Sequence, residues 1–197
     1  MPNLEGSLRC RTIDPTTDGV LNGFCCGKRG DGAEREVHRI VGELRTGKRP
    51  MAEVRVMEEV PPGSLVGLAA VGEIVQFPNP RLGRFIGCPH ITVIALSEGY
   101  RGSDSRGDGP HLGDLLLIDA LSHTKAKGRG GMQWVFAYVA QANKPSRDLF
   151  QRHGFELLVP AENPHVDNLY RRPKNLALRT AAMIATDERT HAAMRSG

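Results

Sequence analysis

The chain has 197 residues, 40% of them hydrophobic and 24% charged, with a formal net charge of +4. This length suits one domain with a substantial core, no apolar run approaches the ~18 residues of a membrane-spanning helix, and the first residues, MPNLEGSLRC, lack the apolar stretch of a secretion signal. A cytoplasmic protein with no membrane partner is therefore expected, and with aromatics at only 5% and so modest a charge a dedicated nucleic-acid binder is disfavoured.

The four cysteines, Cys10, Cys25, Cys26 and Cys88, form no CxxC pair and no ligand spacing with histidine, so reduced thiols and no metal are expected. In chain order, SLRCRTID, ending at Asp14, alternates weakly and reads as a first strand. A turn-rich connection follows, with a short helix expected around Val20 to Phe24. Val37, Ile40, Val41 and Leu44 then recur at helical spacing, and Gly47 and Pro50 close that helix. MAEVRVMEEV alternates as a strand, PPG at 61–63 is a turn, and SLVGLAAVGEIVQF returns as its hairpin partner. PNPRLGRFIGCP reads as a Pro/Gly-rich loop, and HITVIALS, rich in β-branched residues, as a central strand.

YRGSDSRGDGPHLGDLLLIDAL, residues 100–121, runs from a glycine-rich stretch straight into a helical pattern beginning at Asp114. Backbone N–H groups point outward at such a junction, and the helix dipole adds partial positive charge. Glycines let a ligand approach the backbone. The physical expectation is a phosphate-binding junction; the alternative is a surface loop that merely connects two elements. No GK[ST] follows, which excludes a P-loop. MQWVFAYVAQ reads as another strand, and KPSRDLFQRHG as a short helix ending on Gly154. FELLVP and VDNLYRRP read as two closing strands. His153, beside Gly154, reads as a surface residue at a helix end. The tail from 174 to 197 carries Leu178, Ala181, Ala182 and Ile184 and is expected to lie on the domain or on a partner, with a homodimer as one arrangement.

Two of these segments resemble the GCN5-related N-acetyltransferase (GNAT) family. In the first, ITVIALSEGYRG…GPHLGDLLLIDAL, Arg101 matches the arginine of the family's RxxGxG, Gly113 its last glycine, and Leu115 and Leu116 the leucine pair that opens the helix. In the second, NKPSRDLFQRHGFE, the matching positions are Asn143, Ser146, Leu149, Phe150, Gly154 and Phe155. The resemblance runs from about residue 7 to residue 172. It implies an α/β (mixed α+β) fold with a central, mostly antiparallel twisted sheet of about six to seven strands flanked by helices, the domain spanning 1–173 and the tail 174–197.

The resemblance also implies direct attack of a primary amine on acetyl-CoA, which acts as co-substrate. The expected cofactor-binding residues are Ile94, Ala95 and Leu96 on a bulged central strand, Arg101, Gly102, Gly109, His111, Leu112, Gly113 and Asp114 at the phosphate junction, and Asn143, Ser146 and Phe150 on the later helix. Three departures stand out. Gly113 lies twelve positions after Arg101 where RxxGxG needs five, so 103–109 is an insert. His111 replaces a glycine. Phe150 stands where many members have a tyrosine whose hydroxyl protonates the leaving thiolate.

The amine must also be neutral. A lysine amine with pKa ~10.4 costs ~4–5 kcal/mol to deprotonate at neutral pH, an α-amine near ~8 only ~1. Glu73, on the strand beside the central one, is the candidate base, and Tyr170 the candidate replacement acid; Tyr138 and His90 are further candidates. A glutamate at a strand end and a tyrosine in the core are the plain structural readings of the first two. GFCCGKRGD is similar to a Phe-x-Cys-Gly segment of family members that act as toxins on aminoacyl-tRNA, so tRNA is one possible partner. The competing expectation is an acyl-CoA-binding sensor without catalysis, motivated by Phe150, His111 and the insert.

Overall fold

Seven strands form one sheet in the order β1-β2-β3-β4-β5-β7-β6. The computed structural model describes residues 7–13, 19, 21, 23–27, 32–46, 52–60, 63–79, 84–101, 111–126, 134–159 and 167–173. Along the chain these are β1 (Ser7–Thr12), α1 (Gly32–Arg45), β2 (Glu53–Val60), β3 (Leu65–Asn79), β4 (Arg84–Leu96), a 3₁₀ turn (Glu98–Tyr100), α2 (Leu112–Ala126), β5 (Trp134–Ala140), α3 (Lys144–Arg152), β6 (Glu156–Val159) and β7 (Asp167–Pro173). All neighbours pair antiparallel except β4 and β5, which are parallel and joined through α2. The expected helix around 20–24 falls on turn residues and on positions outside the description, as do the insert and the tail.

One expectation is corrected. The segment PNPRLGRFIGCP, expected as a loop, is largely strand: β4 already begins at Arg84 and pairs with β3 from Asn79↔Arg84 through Val75↔Cys88. Proline lacks an N–H and is tolerated at a strand edge. Pro89 lies just before the first bridge to β5, at His90, so over that stretch β4 has β3 on one side only among the described pairings.

Alternation along the strands gives two layers. On one face Val54, Val56, Leu68, Ala70, Val93 and Ala95 pack with Val37, Ile40 and Val41 of α1. On the other, Val66, Ala69, Val71, Ile91, Val135, Ala137 and Val139 pack with Leu112, Leu116, Leu117 and Leu121 of α2, and with Phe150 and Phe155. Burial of such side chains contributes ~1.5–3 kcal/mol each before chain entropy is counted. Gly67 allows a close backbone approach: a Cβ there would lie 2.7 Å from the Ala95 carbonyl oxygen and 3.2 Å from Leu116 Cδ2. Part-buried Arg55–Asp119 contacts, with Nη2 donating to Oδ1 at 2.7 Å, clamp β2 to α2.

Candidate active site

The site begins where the sheet splits. β4 and β5 are bridged at His90↔Phe136 and Ile91↔Ala137 and at no later pair among the described residues, although β4 runs on to Leu96 and β5 to Ala140. β4 bulges at the same place: Ala70 pairs with Val93 but Val71 with Ile91, leaving Thr92 as the extra residue. A bulge adds local twist and disrupts pairing, so it coincides with the divergence. The bulge expected near 94–96 lies instead at Thr92, and Val93 to Leu96 pair in regular register with Ala70 to Gly67. Ile94 and Leu96 lean toward the α2 layer and Ala95 toward α1.

The N-terminus of α2 stands close by in the chain. The His111 carbonyl accepts from the N–H of Asp114 at 3.0 Å and of Leu115 at 3.2 Å. The N–H groups of Leu112 and Gly113 fall in the first turn, where the helix itself offers no acceptor. A Cβ on Gly113 would lie 3.6 Å from Leu149 Cδ2, an ordinary contact, so the protein's own packing does not require glycine there. His111 is exposed. Gly102, Gly109 and the rest of 102–110 lie outside the described residues.

Asp114, expected among the cofactor contacts, is instead fully buried. Its Oδ1 accepts from His153 at 2.8 Å, and both of its oxygens lie 3.0 Å from Arg152 Nη2. Burial pushes the Asp114 carboxyl up, but the hydrogen bonds from His153 and Arg152 outweigh it and hold the group below the ordinary carboxylate range. This corrects the placing of His153 on the surface: its side chain is 1% exposed and joins α3 to the first turn of α2. Arg172, also buried, donates from Nε to the His153 carbonyl at 2.7 Å.

Arg101 caps the 3₁₀ turn, and its guanidinium lies over Gly27, whose φ is +152°. A Cβ at 27 would fall 2.4 Å from Arg101 Nη1, so the glycine makes room for the arginine. The segment 24–27 braces that turn: the Cys25 carbonyl accepts from Glu98 N–H at 2.9 Å, and the Cys26 N–H and thiol both donate to Glu34 Oε2. Burial, then the Glu34 hydrogen bond, push the Cys26 thiol up to about 12. Tyr100 is buried and donates to Glu59 Oε2 at 2.9 Å. Sequence reasoning missed this bracing because its partners are far apart in the chain.

Asn143 caps α3, its Oδ1 accepting from Ser146 N–H at 3.2 Å. α3 ends at Gly154, φ +79°, with Phe155 N–H returning to the Phe150 carbonyl, a left-handed glycine cap. Phe150 is buried edge-on to Phe155, centroids 4.9 Å apart. Tyr170 is 2% exposed within the same core, opposite Ala137. The sheet register places Glu73 opposite His90. Among the described residues, no group of three or more His, Cys, Asp and Glu could hold a metal ion, and no helix is long and apolar enough to cross a membrane.

No protein-family model matches the sequence, and no curated protein matches it. Solved structures do resemble its fold. A bacterial toxin is 15% identical with a TM-score of 0.65, covering 93% of this chain and 96% of its own. A tyrosine-to-phenylalanine variant of the toxin AtaT, bound to the C-terminus of the antitoxin AtaR, is 17% identical with a TM-score of 0.61, covering 85% of this chain and 93% of its own. AtaT complexed with acetyl-methionyl-tRNAfMet is 16% identical with a TM-score of 0.57, covering 85% of this chain and 95% of its own. The chain has a GNAT-like fold, a seven-stranded mixed sheet with three described helices.

Proposed function

We propose that the chain is an acetyl-CoA-dependent N-acetyltransferase that transfers acetyl to a primary amine by direct attack. The observation that carries this is the parallel β4–β5 pair splitting beyond Ile91 and Ala137, beside the helix N-terminus at Leu112. Acetyl-CoA is the co-substrate. Its pantetheine arm, an amide chain, would offer hydrogen bonds to the strand edges left by the split. Its pyrophosphate would sit on the N–H groups of Leu112 and Gly113, where the helix dipole favours negative charge. That the protein's own packing does not require glycine at 113 fits that use. A backbone N–H of β4 beyond Thr92 would polarise the thioester carbonyl without reorganisation. The domain of this enzyme is 1–173, with 174–197 appended.

Aminoacyl-tRNA is the acceptor class we favour. AtaT complexed with acetyl-methionyl-tRNAfMet shares this fold. An α-amine also needs only ~1 kcal/mol to reach its neutral form, which lightens the demand on a base. An antitoxin partner, as AtaR is to AtaT, belongs to the same proposal. The deciding experiment incubates the protein with labelled acetyl-CoA and charged tRNA or small primary amines, and follows the label. Label on the aminoacyl group supports the proposal in full; label on small amines alone keeps the enzyme and changes the acceptor. Acetyl-CoA binding with no transfer at all leaves a sensor.

A further inference from the structure

β5 alternates across the two layers. Val135, Ala137 and Val139 face α2 and α3, so Phe136 and Tyr138 face the other side. On that side, Cys88, Phe136 and Trp134 form a small cluster to which none of the three helices contributes. His90 is 7% exposed and sits at the last stretch where β4 and β5 are still bridged. Tyr138, one residue past the last bridge, is 44% exposed, and its ring meets the His90 imidazole edge-on with centroids 5.3 Å apart. Thr92, the bulge residue, places Oγ1 3.4 Å from His90 Nδ1. An imidazole, a phenol and a hydroxyl therefore converge on the point where the sheet opens, on the face opposite Phe150.

We propose that His90 is the general base that takes the proton from the attacking amine, with Tyr138 as the wall along which that amine approaches. The assignment rests on the acetyltransferase proposal. An acyl group held at the split has the α2–α3 layer on one side, so the amine must arrive from the other, where His90 and Tyr138 stand. Val93, just past the bulge, is three residues from His90, roughly 10 Å along an extended strand, so the amine proton reaches the imidazole through water unless the acceptor itself lies beside the ring. With an ordinary pKa of ~6.5, histidine is the side chain suited to accept a proton at neutral pH.

The amine lone pair forms the C–N bond while the carbonyl π pair moves onto oxygen. The surplus N–H proton passes to the imidazole, directly or through that water. The oxygen pair then returns, the C–S bond breaks with its electrons on sulfur, and CoA leaves as thiolate. The imidazolium returns its proton to solvent.

The test compares wild type, His90→Gln, Thr92→Val and Tyr138→Leu at one pH on aminoacyl-tRNA, an α-amino amide with pKa near ~8 and a lysine side chain near ~10.4. A base matters more the more strongly the acceptor holds its proton. His90→Gln should lose about 10²-fold or more in kcat, with the larger loss on the more basic of the acceptors used, and the KM for acetyl-CoA should be unchanged. Tyr138→Leu should raise the amine KM. If His90→Gln melts early, Thr92→Val decides, because it must show the same acceptor-dependent loss on a smaller scale. An active wild type with equal losses on every acceptor, or none, overturns the His90 assignment alone. A wild type that binds acetyl-CoA and acetylates nothing overturns the enzyme and the base together.

Discussion

His153 Nε2 and Asp114 Oδ1 lie 2.8 Å apart, tying the end of α3 to the first turn of α2. The His153 contact is buried, and the half-exposed Arg152 guanidinium adds a charged partner to the same carboxylate. A carboxylate there would repel a phosphate at the helix N-terminus if its charge were not answered. The Arg152 guanidinium and the hydrogen bond to His153 answer it and tie together the helices that border the split.

Asp114→Asn should therefore destabilise the fold by about 1–3 kcal/mol near neutral pH, since it removes the buried charge to which His153 and Arg152 hydrogen-bond. Asp114 is held below its ordinary carboxylate value in the folded chain. A depressed carboxyl contributes stability that is complete above the unfolded value of ~3.9 and is lost as pH falls through the lower folded value. Thermal melts of both proteins should differ most above about pH 5 and converge as the pH drops below ~3.9. Curves that stay parallel down to the acid limit would contradict the pairing.

Gly113 separates packing from binding. Because a Cβ at 113 meets only Leu149, at 3.6 Å, Gly113→Ala should fold normally and melt up to ~1 kcal/mol higher in stability, as alanine favours a helix. Its acetyl-CoA affinity should nonetheless fall. Gly113→Val should weaken it further, by roughly tenfold or more, because a β-branched side chain intrudes where backbone meets phosphate. Calorimetry beside melting curves checks this; wild-type affinity in both variants would move the pyrophosphate elsewhere.

Gly67 is the converse case, with the obstruction inside the protein. An added methyl would press on the Ala95 carbonyl at 2.7 Å, and backbone there cannot swing aside. Gly67→Ala should cost about 1–3 kcal/mol through overpacking, read as a fall in melting temperature. An unchanged melting curve would mean that β3 and β4 can separate.

The strands and helices near the site were legible because each announces itself locally. α3 carries Asn143 at its cap, Pro145 in its first turn and Gly154 after its end, and all three act as their chemistry suggests. β4 was shortened in the sequence reading because Pro and Gly are weighted as loop formers, whereas Pro89 lies on a stretch with one pairing neighbour. His153 was misplaced for a different reason. Its partner is 39 residues away, and a one-dimensional pattern carries no information on which distant helix will cover a turn. The same holds for Arg101 over Gly27, and for Tyr138 against His90 across two strands.

Phe150 offers the sharpest test of how the leaving group departs. Its ring is 5% exposed and is held edge-on by Phe155, so it packs as a core residue and offers no proton. Tyr170, the other aromatic candidate, is 2% exposed in the same core. A CoA thiol has an alkyl-thiol pKa near ~8.5, so its thiolate is a tolerable leaving group at neutral pH. The missing acid should then slow transfer within the ~10²–10⁴ range of general acid–base effects rather than abolish it. Phe150→Tyr should raise kcat with little change in the KM for acetyl-CoA, provided the new hydroxyl reaches the sulfur. Tyr170→Phe, a change within the buried core, should leave kcat within about twofold. A dead Tyr170→Phe beside an unchanged Phe150→Tyr would instead place the acid on β7, and would require the core around Tyr170 to open during turnover.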